Sequence, residues 1–426
     1  MLVVLDTVRA RNCGAWGYDR NTTPHLDALA TEGTIFTQAI SPAPWTLPAH
    51  VSMFTGKYTM EHGVRGYVYR DDTGKKRIRE NALADEKVTI AEHLQIGGYA
   101  TAAFSANTGY LAPYFNLAQG FESYHLERIP GVDLATKALG WVREQTKPSF
   151  LFCNFMDAHR PYNLSALPDT LPEAVSEDAL LLDQLREKTL THPDSLDSAL
   201  AAKVTLQYDR GIGNADAALG HLISGLKAME IYDDTLLIVC ADHGEYLGEH
   251  GLVEHSKDVF QEAVHVPLAV KAPGQSSSAR VDWPVSLTQV PSTILSCAGL
   301  PARDLAPRLE KKTGTYPILS ENYYSRDWDY TDPRWTGRFD RVRCALYEEP
   351  WKYIHSTDGD DGLFNLTDDP LEQRNQREHE NNIYQALRGR YRAVMEELHA
   401  PASSDGGDAA PLPGPAQEEL KALGYL

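Results

Sequence analysis

Asp6, Thr46, the pair Asp242-His243 and the triplet Asp157-Ala158-His159 are the residues of this chain whose types could carry chemistry together. Two carboxylates and an imidazole make a mixed oxygen and nitrogen donor set suited to one divalent cation, Mn, Zn, Ca or Mg. Such an ion would polarise a phosphoryl or sulfuryl oxygen and lower the pKa of a bound nucleophile. A threonine hydroxyl is too weakly acidic to attack an ester unaided at neutral pH, so metal binding would make Thr46 a candidate nucleophile. Its ordinary reading is different. In WTLPAHVSMFTG, which begins at Trp45, a threonine two residues ahead of Pro48 fits a helix cap, with its oxygen satisfying free backbone N–H groups. The same helix start would also aim N–H groups at an anionic substrate, and both readings stay open at this point.

The elements that must position these residues are short apolar runs. LVVL ends in Asp6, LLIVCA ends in Asp242 and FLFCNFM ends in Asp157, while YATAAFSAN from Tyr99 and VPLAVKAPG from Val266 have the same texture. Runs of this length, separated by helical patterns, read as strands buried on both faces of a sheet with helices on either side. The helical patterns include HLDALATEG from His25, VTIAEHLQIGG from Val88 and a long segment from Ser198 to Met229. The expected class is α/β, with a mixed, mostly parallel sheet flanked by helices. In open sheets of this kind ligands bind beyond the carboxyl ends of the strands, where all three acidic run-ends fall.

Beyond residue 300 the texture changes. GTYPILSENYY, RCALYEEPWKYIHS and GLFNLTDDP read as short antiparallel strands, followed by a helix from about Asn382 to His399. The expected organisation is a catalytic α/β domain over 1–300, a smaller α+β subdomain over 301–400, and a linker with a short terminal helix over 401–426. There is no internal repeat.

The 426 residues are 42% hydrophobic and carry a formal net charge of −19, without a cluster of lysines and arginines. Nucleic acid is therefore not an expected partner, and a small anionic substrate needs a local positive centre. Five scattered cysteines without a CxxC pair make a disulfide framework or a zinc-cysteine site unexpected. No signal-peptide pattern and no apolar run of membrane-spanning length is visible, which as written reads as cytoplasmic. The sequence enters an apolar run at its second residue, and the true start is left open, as is the oligomeric state.

Taken in order, DTVRARNCGAWGYDRNTTPHLDALATEGTIFTQAISPAPWTLPAHVSMFTG, MDAHRPY, DDTLLIVCADHGEYLGEHGL with VPLAVKAPG, and WKYIHSTDGDDGLFNLTDDPLEQRNQ closely resemble the sulfatase family of the alkaline phosphatase superfamily. The resemblance implies that Asp6, Asp242 and His243 bind one divalent metal, with Thr46 at the nucleophile position and within the metal's reach. It implies that His159 and His255 protonate the leaving oxygen or contact the transferred group. Lys257, Asn107, Arg9 and His50 are implied as substrate contacts, with His50 standing where the family's arginine would.

That last difference carries weight. Sulfatases with the family's usual chemistry carry a cysteine or serine followed by x-Pro-x-Arg, oxidised to a formylglycine whose hydrate attacks sulfate. Oxidising Thr46 would give a ketone, so no formylglycine is expected here. The resemblance then points to a hydrolase of phosphate or phosphonate esters, diesters above all, acting through a Thr46 intermediate. The alternatives are a sulfatase working without formylglycine, a phosphoethanolamine or glycerophosphate transferase, and a non-catalytic binding relic. A two-metal site that adds Asp157, His159 and His255 is a further alternative.

Overall fold

LVVL forms strand β1 (Leu2–Leu5), every residue of it buried. The computed structural model describes residues 1–162, 178, 180–192, 195–302, 305–309, 316–335 and 337–398; the expected linker and terminal helix at 401–426 lie outside them. Seven further strands complete the main sheet: β2 (Thr34–Phe36), β3 (Ala100–Ser105), β4 (Ser123–Leu126), β5 (Ser149–Phe155), β6 (Leu237–Cys240), β7 (Leu268–Lys271) and β8 (Ala279–Val281). Their order is β8-β2-β7-β6-β1-β5-β3-β4. Only β7, among these strands, runs against its neighbours. The sheet is thus mixed and mostly parallel.

Register explains what reaches the site. β1 lies parallel between β5 and β6, with Val4 opposite both Asn154 and Cys240. Side chains alternate faces along a strand, so Asp6, two beyond Val4, and Asp242, two beyond Cys240, leave adjacent strands on the same face. Asn154 shares that face, and so does Asn107, two beyond Ser105, which pairs with Asn154. Asp157 has the opposite parity: continuing the pairing of Leu5 with Phe155 sets it beside Thr7 and not beside Asp6.

The two faces carry different helices. On the Asp6 face, Phe152 packs edge-on against Phe54 of the helix Thr46–Thr55, with ring centroids 4.9 Å apart. On the other face lies the helix Gly131–Arg143, packed with the 31-residue helix Ser198–Ala228. The helix Asn381–Leu398 belongs to a second, antiparallel sheet of β9 (Ile318–Tyr323), β10 (Val342–Glu348), β11 (Trp351–Ser356) and β12 (Gly362–Asn365). Its Leu387, Tyr391 and Val394 join Leu346, Tyr353 and Leu363 in a core of their own, which also takes in Tyr58. No helix of the described residues is long and apolar enough to cross a membrane.

Candidate active site

Thr46 is the first residue of its helix, and the capping position belongs to Trp45, whose extended backbone leads the chain in. The threonine side chain is therefore not used as a cap. Its Oγ1 lies 3.3 Å from Nε2 of His243, and both residues are fully buried. His243 has its other nitrogen, Nδ1, 2.9 Å from the carbonyl oxygen of Gly244. A carbonyl only accepts, so Nδ1 carries the hydrogen and Nε2 presents a lone pair to Thr46.

Asp6, Asp242 and His243 place ligand atoms within 4.8 Å of one another, the one such group found among the described residues. Asp6 Oδ2 accepts from the amides of Asn107 and Asn154, each at 3.1 Å. Asp242 Oδ1 accepts from the backbone N–H of Thr7 at 3.1 Å and of His243 at 2.9 Å. The second oxygen of each aspartate, Asp6 Oδ1 and Asp242 Oδ2, is buried without a hydrogen-bond donor. Burial first, and for Asp6 the neighbouring Asp242 next, pushes each carboxyl up to about 7. Two orphaned carboxylate oxygens and one imidazole lone pair at a dry point fit a divalent cation. The side chains that hold them fit it too, because each ligand is oriented by a second hydrogen bond.

Three buried imidazoles lie side by side at the site. The rings of His243 and His255 are 4.5 Å apart between centroids, and those of His255 and His159 are 5.3 Å apart. His255 Nδ1 meets Glu245 Oε1 at 3.0 Å, and Glu245 also accepts from the hydroxyl of Tyr162 at 2.7 Å. His159 Nδ1 donates to the Arg160 carbonyl at 2.8 Å. Burial, and then nearby cationic groups and imidazoles, holds His159 and His255 well below the ordinary histidine value. Glu254 and Ser256, on either side of His255, have φ of 61° and 63°, left-handed backbone that a non-glycine residue adopts at a cost.

The remaining sequence candidates are placed less directly. Asn107 spends its amide on Asp6, and Arg9 is held by Asn12 at 2.6 Å and by Glu249 at 2.8 Å. His50 donates from Nδ1 to the Thr46 carbonyl at 2.9 Å, within its own helix, and its ring packs edge-on against Phe54 and Phe152. Burial pulls its pKa down to about 3. Lys257 is fully buried, 3.0 Å from Asp329. Asp157 accepts from the backbone N–H of Gly131 at 3.1 Å and so caps the helix on the far face. It forms no second metal cluster with His159 and His255 among the described residues.

Asn154, Glu245 and Tyr162 support the site without having been singled out by the sequence. Asn154 sits inside an apolar run, and its even parity with Asp6 is the signal that could have found it.

Residues 1–300 match the Sulfatase family. Over 177 residues the chain is 30% identical to the choline-sulfatase of Rhizobium meliloti (strain 1021), a match that covers 39% of this chain and 32% of that protein. With the arylsulfatase K of Homo sapiens it shares 23% identity over 436 residues, 88% of this chain and 78% of that one. The crystal structure of a phosphonate monoester hydrolase of Agrobacterium radiobacter superposes with a TM-score of 0.71 at 21% identity, covering 94% of this chain and 95% of the other. The fold is shared throughout. By this match and the order of its motifs, the chain belongs to the sulfatase family of ester hydrolases, within the alkaline phosphatase superfamily.

Proposed function

We propose that this chain hydrolyses phosphate or phosphonate esters, diesters above all, through a covalent intermediate on Thr46. The observation that carries the reading is the buried Thr46 hydroxyl 3.3 Å from the His243 lone pair, at the first turn of a helix and beside two orphaned carboxylate oxygens. A divalent ion held by Asp6, Asp242 and His243, with Thr46 in reach, would supply Lewis-acid polarisation of the ester oxygen and a lower pKa for the hydroxyl. Free backbone N–H groups at the start of Thr46–Thr55 orient the anionic ester. Thr46 gives up its hydroxyl proton to solvent as its pKa falls, Oγ1 then bonds to phosphorus as the bond to the leaving oxygen breaks, and that oxygen takes a proton from His255 or His159. Both imidazoles rest neutral in their buried setting. An anionic ester placed beside them favours their protonated form, which is what a general acid requires. In the second half, the neutral imidazole accepts a proton from the water whose oxygen bonds to phosphorus, the Oγ1–P bond breaks, Thr46 regains its proton from solvent and the product acid leaves.

Sulfate ester hydrolysis is the second reading, supported by the names of the choline-sulfatase and arylsulfatase K relatives. A sulfothreonine lacks the hemiacetal route by which a formylglycine hydrate releases sulfate, so this reading ranks lower. The two are separated by steady-state hydrolysis of p-nitrophenyl phosphate monoester, phosphate diester, phosphonate ester and sulfate ester, with Mn, Zn, Ca and Mg each added to metal-free protein. Preference for the diester or phosphonate ester is the expected result. Preference for the sulfate would reverse the ranking.

A further inference from the structure

Lys257 is one of four cations drawn into a single cluster beside the histidines. Arg160 pairs with Glu254 at 2.9 Å, Arg326 with the other oxygen of Glu254 at 2.9 Å, Arg186 with Asp329 at 3.2 Å and Lys257 with Asp329 at 3.0 Å. The indole of Trp328 lies among them, its ring centroid 3.5 Å from the guanidinium carbon of Arg186, 4.8 Å from that of Arg326 and 5.7 Å from the Lys257 nitrogen. Arg186, Lys257 and Arg326 thus outnumber Glu254 and Asp329, the two carboxylates within 4 Å of them among the described residues. Cation–π contacts soften the imbalance but do not neutralise it.

Several nitrogens of this cluster are buried without a hydrogen bond: Nε of Arg186 and Nε of Arg326 still face a carboxylate, at 3.9 Å from Glu254 and 3.4 Å from Asp329, whereas Nη1 of Arg326 and Nε1 of Trp328 have no such contact. Arg326 is itself only 3% exposed. A buried guanidinium edge without an acceptor is costly, and an oxyanion is a group whose oxygens accept from guanidinium and indole N–H alike. The cluster adjoins the catalytic histidines. Lys257 follows His255 by two residues, and Glu254, which pairs with Arg160 and Arg326, directly precedes His255. In a chain with a net charge of −19, such an excess is a local exception.

We propose that this cluster is a second anion subsite, with Arg326 and Trp328 as its principal donors, and that it binds a carboxylate, phosphoryl or sulfuryl group carried on the leaving alcohol. The substrate is then an ester with a second negative charge set back from the bond that breaks. The proposal rests on the hydrolase reading above for its orientation, and on the cluster alone for its charge.

The test compares 4-carboxyphenyl with 4-carbamoylphenyl esters of phosphate, phenylphosphonate and sulfate, which differ at one remote group. In parallel, calorimetry compares binding of 4-hydroxybenzoate with 4-hydroxybenzamide to the full chain. A charge-assisted contact predicts a preference for the carboxylate of roughly tenfold or more in kcat/KM and in affinity. Arg326→Met should bring both ratios close to one, and Trp328→Phe, which keeps the ring and removes the N–H, should lower them by about threefold. Ratios near one in the wild type, or ratios unchanged in the variants, overturn the subsite even when both esters are cleaved. If no ester is cleaved the hydrolase reading falls, and the binding ratio alone decides the subsite. Should Arg326→Met fail to fold, Trp328→Phe decides: an unchanged ratio overturns the proposal.

Discussion

At the residue scale, Thr46 shows how two sequence readings of one side chain are separated. Its place after the capping position, with its hydroxyl on the His243 lone pair, takes it out of helix capping. Thr46→Ala should lower turnover roughly a thousandfold or more while leaving the fold intact, and Thr46→Ser should keep part of it; steady-state rates and circular dichroism check both. Asn154→Ala removes one of the two amides on Asp6 Oδ2. Metal affinity should fall about 10- to 100-fold, read by titrating metal into stripped protein. Asp6, Asp242 and His243 were legible in the sequence because each closes or follows an apolar run. Arg160, Arg186, Arg326 and Trp328 were not, because they come from separate segments and a basic residue on a loop reads as a solvated charge. Asp157 was legible as a strand end, and the parity of β5 turns it to the far face.

At the element scale, the helix Thr46–Thr55 needs both its ends. Gly56 closes it with φ of 68° and its N–H on the Ser52 carbonyl. Gly56→Ala puts a Cβ in left-handed backbone and 3.1 Å from Leu305, and should destabilise by about 1–2 kcal/mol in denaturant titration. Gly244 is tighter still: a Cβ there would lie 2.1 Å from the Glu262 carbonyl oxygen, so Gly244→Ala should displace His243 and impair metal binding. Asp216 in the long helix caps Pro24–Glu32 by accepting from the N–H groups of His25 and Leu26 at 2.9 and 2.8 Å. Burial raises its pKa to about 7. The folded chain then holds a proton that the unfolded chain releases near pH 4, so stability falls as pH rises from about 4 to 7 and levels above. Glu80 and Glu321, also raised to about 7 by burial, act in the same direction. Asp216→Asn should make the decline of Tm over that range shallower; an unchanged slope would show that Asp216 ionises normally. The long strands and helices were legible from apolar periodicity. The two-residue strands Ala39–Ile40 and Val285–Ser286 were not, since so short a segment has no period to read.

At the scale of the whole molecule, the loop that delivers Thr46 is clamped from several directions. The Ser41 N–H bonds the Val264 carbonyl at 2.8 Å, the Pro44 carbonyl accepts from Ser256 at 2.9 Å, and the Pro42 carbonyl accepts from Glu321 of β9 at 2.8 Å. Tyr58, which follows the Thr46 helix, donates to the Pro317 carbonyl at 2.7 Å and is buried in the core of the second sheet. The texture change near residue 300 marks a change of sheet, and these contacts show why that boundary is not a line of cleavage. A fragment of residues 1–300 should therefore lose cooperative thermal unfolding, while residues 1–400 should melt in one transition. Everything converges on Thr46. The most direct measurement is intact-protein and peptide mass spectrometry of enzyme acid-quenched during turnover of a phosphate diester or phosphonate ester. We expect a phosphoryl or phosphonyl adduct on the peptide that contains Thr46, lost in Thr46→Ala together with turnover. An adduct on another residue, or full turnover by Thr46→Ala, would contradict the assignment of Thr46 as nucleophile.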